Sequence, residues 1–285
     1  MADFSDILLT VDYDRTLTSP DSVVPERNIE AIRYFMEHGG TFTVNTGRSI
    51  PMARPFMDVV PVNAPLLLYN GSAAYDMEKQ TFTFVHNIDL DMWETLRKVQ
   101  NAFPDMVVEV QGMDAHYCCF GENQGWDAFT RNQKCACAFA KDGEDLGPFV
   151  KFTLYGQFRS PRMHDMYEGS EEEIRRIDEV EQQLKEMFGA SCEVFRAAPR
   201  IIDVHAKGVS KARSARELQQ HLGKKWLVCV GDAENDRRML EEADFSFVPA
   251  DAILAKNFPN VCNCGDGAVA DVIYEKIPEI LVNSP

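Results

Sequence analysis

Four short apolar runs along the chain each end on a cluster of polar residues. Residues 7–11 lead into Asp12-Tyr13-Asp14-Arg15-Thr16, residues 41–44 into Asn45-Thr46-Gly47-Arg48, residues 66–69 into Asn70-Gly71-Ser72, and residues 226–230 into Gly231-Asp232-Ala233-Glu234-Asn235-Asp236. Runs this short, bounded by turn residues, read as strands buried on both faces, and helical patterns between them imply parallel crossovers. An α/β fold follows, with all four polar clusters along one sheet edge, where open α/β sheets keep their chemistry.

The intervening helices agree. Pro25 suits a first helical position, Ile29, Ile32, Phe35 and Met36 recur at helical spacing, and Gly39-Gly40 supply a stop. Ser210 can cap a helix carrying Ala215, Leu218 and Leu222 on one face, which puts Lys211 in its first turn, where the helix dipole disfavours a cation.

The middle of the chain reads differently. Residues 81–85, 106–110, 115–120, 150–155, 192–196 and 201–204 are expected strands. Residues 91–103 and 171–188 are expected helices, with Trp93, Leu96, Val99 and Phe103 on one stripe and Ile174, Ile177, Leu184 and Met187 on the other. A helix within 126–139 is the further expectation for the least periodic stretch. This pattern predicts an inserted α+β domain, helices on one face of a largely antiparallel sheet and the other face free to meet a ligand. The expected partition is a core from residues 1–77 and 206–285 around an insert of residues 78–205.

Asp12 and Asp14 stand two positions apart, so they share a task only if the chain bends at Tyr13. One can then act as nucleophile while the other handles a proton. The Asp232 cluster imitates the start of a calcium loop, but Arg237 and Ala243 occupy the sixth and twelfth positions, where Gly and Glu are required. Leu17 breaks the same reading at Asp12, and no Gly-x-x-x-x-Gly-Lys phosphate loop is present.

Taken in order, Asp12-Tyr13-Asp14-Arg15-Thr16, Thr46-Gly47-Arg48, Gly208-Val209-Ser210-Lys211 and Gly231-Asp232-Ala233-Glu234-Asn235-Asp236 resemble the four motifs of haloacid dehalogenase superfamily phosphatases, specifically the Cof-type subfamily with the larger cap. Asp266-Gly267-Ala268-Val269-Ala270 resembles a tail segment of the same group. The resemblance implies a Rossmann-like, doubly wound parallel sheet core with an α+β cap. It implies Asp12 as nucleophile, Asp14 as general acid and base, and Thr46 and Lys211 on the phosphoryl oxygens. Gly47, Arg48, Asn70, Gly71 and Asn235 would serve substrate binding, while Asn235 and Asp236 orient the lysine and the metal waters. A carboxylate nucleophile meets like-charge repulsion from a phosphate monoester, which a divalent cation removes. Asp12 and Asp232 offer hard oxygens suited to Mg²⁺, and the resemblance adds the backbone carbonyl of Asp14. The chain departs from the family pattern at Arg15, where glycine is usual, at Ala212 after the motif lysine, and at Pro249 and Asp251.

A formal net charge of −16 over 285 residues argues against general binding of nucleic acid or anionic membranes. Anion capture must therefore rest on local charge: the metal, Lys211, Arg48, and in the insert Lys151, Arg159, Arg162, Arg196 or Arg200, each of which alone reads as a solvated surface charge. Eight cysteines are too sparse for a disulfide scaffold, and Cys135-Ala136-Cys137 and Cys262-Asn263-Cys264 lack zinc-knuckle spacing, so reduced, mostly buried thiols are expected. His205 reads as structural. No apolar run approaches the ~20 residues of a membrane span, and a cytoplasmic location with no evident protein partner is expected. The resemblance implies a small phosphorylated metabolite as the partner, sugar phosphates first. The alternatives are a phosphomutase, a phospho-accepting receiver-like module and a catalytically silent sugar-phosphate binding protein.

Overall fold

The computed structural model describes residues 3–56, 59–158, 166 and 168–283, which leaves Arg159 and Arg162 outside the described residues. The chain divides into two compact units, one of Met1–Gly47, Phe56–Phe84 and Ser210–Pro285, the other of Arg48–Pro55 and Val85–Val209.

A four-stranded parallel sheet forms the centre of the first unit, in the order Phe245–Phe247, Trp226–Val230, Ile7–Val11, Thr41–Val44. Val11 lies opposite Val230 on one side and Val44 on the other, so the polar clusters that follow all three strands reach the same edge. Every residue of Ile7–Val11 is buried, as a strand covered on both faces must be. Leu8, Leu227 and Cys229 pack with Ala212, Ala215 and Leu218 of the helix Lys211–Leu222 and with Met239 and Leu240 of Arg237–Glu242. Ile7, Leu9 and Val11 alternate to the opposite face, and the helix Glu26–Glu37 packs on Thr41–Val44 and on Ala268–Asp271.

One strand differs from expectation. Leu66–Leu68 pairs antiparallel with Ala73–Asp76 in a separate three-stranded sheet and meets the parallel sheet through the single bridge of Asn45 with Leu67. The cause is the turn Tyr69–Gly71, whose three residues all have positive φ (53°, 55° and 94°) and reverse the chain at once. So short a loop permits only an antiparallel neighbour. The place of a fourth parallel strand goes to Phe245–Phe247.

The second unit is built on a six-stranded sheet in the order Cys192–Ala198, Ile201–Ala206, Lys151–Tyr155, Val107–Gln111, His116–Cys118, Cys137–Phe139. All its pairs are antiparallel except the last. Helices Met92–Ala102 and Glu171–Phe188 supply Trp93, Leu96, Val99, Ile177, Val180, Leu184 and Phe188 to a core with Val108, Val110, Phe152, Leu154, Ile202 and Val204. The second stripe therefore runs Ile177, Val180, Leu184, Phe188, and Met187 faces solvent at 42% exposure. A position one residue from the true stripe is rotated about 100° around the helix. The expected helix within 126–139 is Gln124–Asn132, and Cys137–Phe139 is an edge strand.

The opposite face of this sheet is polar and buried, rather than free as expected. Lys151 Nζ lies 2.7 Å from Asp203 Oδ2, and Thr153 Oγ1 donates to Asp203 Oδ1 at 2.8 Å. Glu109 accepts from Trp126 Nε1 (2.6 Å), Gln111 Nε2 (2.9 Å) and Tyr155 OH (3.0 Å). His116 Nδ1 stands 3.3 Å from Glu109, while its Nε2 lies 2.7 Å from Ser49 Oγ, tying Arg48–Pro55 to the sheet. Burial alone would raise Glu109, but His116, Gln111 and Trp126 hold it below the usual carboxylate range. Burial and Lys151 push His205 well below the ordinary imidazole value. Lys151 and Arg200 are thus not solvated: both are buried, Arg200 beside Glu173 at 3.2 Å. Arg196 is half-buried between Asp178 and Glu181. All eight cysteines are free thiols, and among the described residues no helix is long and apolar enough to cross a membrane.

Candidate active site

Asp12 is the first residue past the central strand, its amide still bonded to the Val230 carbonyl at 2.9 Å. The chain then leaves the strand. Residues 13–17 form an irregular turn in which Leu17 N donates to Asp12 O and Thr18 N to Tyr13 O. Arg15 sits at φ 60°, ψ 12°, a left-handed conformation costing an L-residue on the order of 1–2 kcal/mol, and its amide is held by Thr18 Oγ1 at 3.2 Å. The bend required for Asp12 and Asp14 to serve one site is therefore present.

Three carboxylates, Asp12, Asp232 and Asp236, gather within 4.8 Å of one another, all buried. Lys211 lies among them. Its Nζ donates to Asp12 Oδ1 at 2.5 Å and to Asp236 Oδ1 at 2.6 Å. Ser210 places it by capping the helix, its hydroxyl accepting from Arg213 N at 3.1 Å. Asn45 Nδ2 and Ser214 Oγ both donate to the Lys211 carbonyl. Close approach is purchased by two glycines: a Cβ on Gly71 would lie 2.4 Å from Ser210 O, and one on Gly231 would lie 2.6 Å from Asp236 Cβ.

Asp236 differs from the other two acids. Its Oδ1 holds Lys211, and its Oδ2 accepts from the amides of Asp232 and Ala233 at 3.1 and 3.2 Å. With both oxygens occupied, it fixes the lysine and the loop. Among the described residues Asp12 Oδ2 has no hydrogen bond and the Asp232 carboxylate has one only from Thr16 Oγ1 at 3.4 Å, so these two carry oxygens open to a cation. Hard carboxylate donors with oxygens open to a cation fit Mg²⁺.

The remaining expected residues divide. Thr46 is buried, its amide on Leu67 O at 2.9 Å, and it accepts from Asn70 N at 3.0 Å, so Thr46, Asn70 and Gly71 stand together at the edge. A Cβ on Gly47 would press on Asn70 Oδ1 at 2.9 Å. Arg48 belongs to the second unit. Asn235 is exposed, unlike Asp236 next to it. Asn45 was missed as a supporting residue, the signal available being its place directly before Thr46, and Thr16, though part of the first motif, was given no role of its own.

Electrostatics follow from this crowding. Burial drives Asp12 well above the usual carboxylate value, Lys211 opposes the shift, and Asp236, Asp232 and Asp14 add to it. Burial works against the Lys211 charge, yet Asp12 and Asp236 outweigh it and keep the ammonium protonated. Burial, then Asp236, raise Asp232 to about 6 against the pull of Lys211. A carboxyl raised on folding loses stability as pH climbs from its unfolded value near 4 through about 6. In EDTA, the wild type is therefore expected to gain on the order of 1–3 kcal/mol from this cluster at pH 5 relative to pH 7.5. Urea midpoints of wild type and Asp232→Asn at the two pH values check this, the variant showing the smaller difference.

The family model of haloacid dehalogenase-like hydrolases matches residues 9–255. An HMP-PP phosphatase of Escherichia fergusonii is 23% identical over 267 residues, covering 86% of this chain and 85% of its own. A 5-amino-6-(5-phospho-D-ribitylamino)uracil phosphatase of Bacillus subtilis is 22% identical over 242 residues, covering 83% and 80%. Among solved structures, a haloacid dehalogenase-like hydrolase from Bacteroides thetaiotaomicron superposes with a TM-score of 0.78 at 18% identity, covering 95% of this chain and 98% of that one. A HAD subclass IIB sugar phosphatase superposes at 0.72 with 17% identity, covering 96% and 99%.

Proposed function

The chain belongs to the haloacid dehalogenase-like hydrolase family, and from that premise we propose that it is a phosphatase that hydrolyses phosphate monoesters of small metabolites through an aspartyl phosphate. The observation that carries this reading is the buried Lys211 ammonium, bonded at once to Asp12 and Asp236 beside the open oxygens of Asp232. A lysine fixed in this way holds positive charge where a transferring phosphoryl group brings negative charge.

In the first step Asp12 Oδ2, the oxygen not bonded to Lys211, attacks phosphorus; the ester P–O bond breaks, and the leaving alkoxide takes a proton from Asp14. In the second, water gives a proton to Asp14 and attacks the phosphoryl group, breaking its bond to Asp12 and releasing inorganic phosphate. The third hydrogen of Lys211 and the Thr46 hydroxyl hold the phosphoryl oxygens. Asp12, Asp232 and the Asp14 carbonyl would hold Mg²⁺, which when bound offsets repulsion between nucleophile and phosphoryl group. Relatives named as phosphatases of HMP-PP, a phosphoribityl uracil and sugars support a phosphorylated small molecule as substrate, sugar phosphates first.

Phosphate release from a panel of sugar phosphates and p-nitrophenyl phosphate tests the reading. Turnover is expected with Mg²⁺ and its loss with EDTA. Failure to release phosphate from any compound in Mg²⁺ overturns it.

A further inference from the structure

The positive charge of Lys211 is already spent. Two of its three hydrogens go to buried carboxylates, and Asp12, Asp14, Asp232 and Asp236 outnumber it. With Asp14 carrying its proton and a divalent cation bound, this set has no net positive charge left over. An ester whose leaving group carries its own negative charge would find no counter-charge there unless a further cation stood at the rim.

Arg15 stands there. Its side chain is exposed, it follows Asp14 directly, and the turn residues 13–17 pack against Cys264–Asp266. Its charge is felt at Asp232 on one side and at Asp251 and Cys264 on the other, favouring the ionised form of each as a minor contribution. The Asp251 oxygens are themselves engaged by Cys264, through its amide at 2.9 Å and its thiol at 3.2 Å. Among the described residues the Arg15 guanidinium has no hydrogen bond and no ion pair, whereas Arg237 is held by Glu234 and Arg27 by Asp271. The backbone beneath it is fixed by Thr18 Oγ1 and by the amides of Leu17 and Thr18. A cation on a stapled turn beside the proton-transfer residue is placed to meet the leaving group. The left-handed conformation would suit glycine, yet the chain carries a guanidinium, whose fork matches phosphate and carboxylate.

We propose that Arg15 recognises a second anionic group on the substrate, so that the site favours esters whose leaving group bears a further phosphate or carboxylate. This rests on the phosphatase reading above and deepens it. Arg15 acts here as a specificity residue and takes no part in bond making.

Initial rates of phosphate release on two matched pairs of esters test it: propane-1,3-diol bisphosphate against propyl phosphate, and phosphoglycolate against ethyl phosphate, each with wild type, Arg15→Gly and Arg15→Lys. The wild type is expected to prefer the doubly anionic member, and Arg15→Gly to reduce that ratio of kcat/KM tenfold or more while Arg15→Lys retains part of it. Loss confined to the first pair assigns a phosphate, and loss confined to the second a carboxylate. No wild-type preference, or an equal change on both members of each pair, overturns the proposal. Glycine is free in this conformation, so the variant is expected to melt at or above the wild-type temperature, and a loss of selectivity is then not a loss of fold. A wild type inert on these four compounds and on the sugar-phosphate panel refutes the phosphatase reading itself, whereas one active on the panel but inert on both doubly anionic esters, or active with an unaltered Arg15→Gly ratio, refutes this inference alone.

Discussion

Asp12→Asn is expected to lower kcat by on the order of 10⁴-fold or more while leaving the fold intact. The amide keeps the shape of the carboxyl and can still accept from Lys211 Nζ, but its oxygen does not form a stable bond to phosphorus. Stability should hold or rise. Asp12 is driven well above the ordinary carboxylate value by burial and by three neighbouring acids, so ionised Asp12 is a cost to the folded state, and its replacement by a neutral group removes that cost. Single-turnover phosphate release and a urea titration at pH 7.5 read both halves. A variant retaining a few per cent of wild-type turnover would refute Asp12 as the nucleophile.

Lys211→Met should have the opposite effect on stability. It preserves much of the side-chain length but strands Asp12 and Asp236, both buried, without their cation. Breaking a buried ion pair from one side costs about 3–5 kcal/mol, and that loss is expected near pH 8. The sign with pH is fixed: stranded carboxyls are raised on folding, so the penalty grows as pH rises through their folded values and fades on acidification. Mg²⁺ should restore part of the stability at pH 8 but not the activity, which is expected to fall 10²–10³-fold with the loss of a phosphoryl-oxygen donor. A Lys211→Met protein as stable as wild type at pH 8 without metal would remove the ion-pair account.

The edge of the parallel sheet was legible because its signals are local. Asp12 follows an apolar run directly, Thr46 and Asp232 each stand one residue beyond theirs, and Ser210 announces the helix that carries Lys211. Partnerships across the chain were not legible. The run Leu66–Leu68 reads the same beside a parallel or an antiparallel neighbour; only the three positive φ angles of the turn after it decide. Phe245–Phe247 is three residues long and too short to show a period. Lys151 reads as a surface charge until Asp203, far along the chain, is placed 2.7 Å away on the neighbouring strand. The hydrogen bond between Ser49 and His116 has the same character. Asp236 was expected to orient the lysine, and its Oδ1 accepts from Lys211 Nζ at 2.6 Å.

The central pairing of residues 7–11 with residues 226–230 has a consequence for how the protein is made. On the ribosome, the stretch from Val85 to Val209 emerges whole and holds every strand of the six-stranded sheet. Ile7–Val11, made first, must wait for its second neighbour until Trp226–Val230 has left the exit tunnel. Until then one edge of an apolar strand stays open, the kind of edge that chaperones shield and that aggregates recruit. Closing it joins residues separated by 219 positions, a long loop whose entropy is lost before the contact is gained. Recovery of catalysis during refolding therefore reports the last closure of the sheet, not the collapse that precedes it.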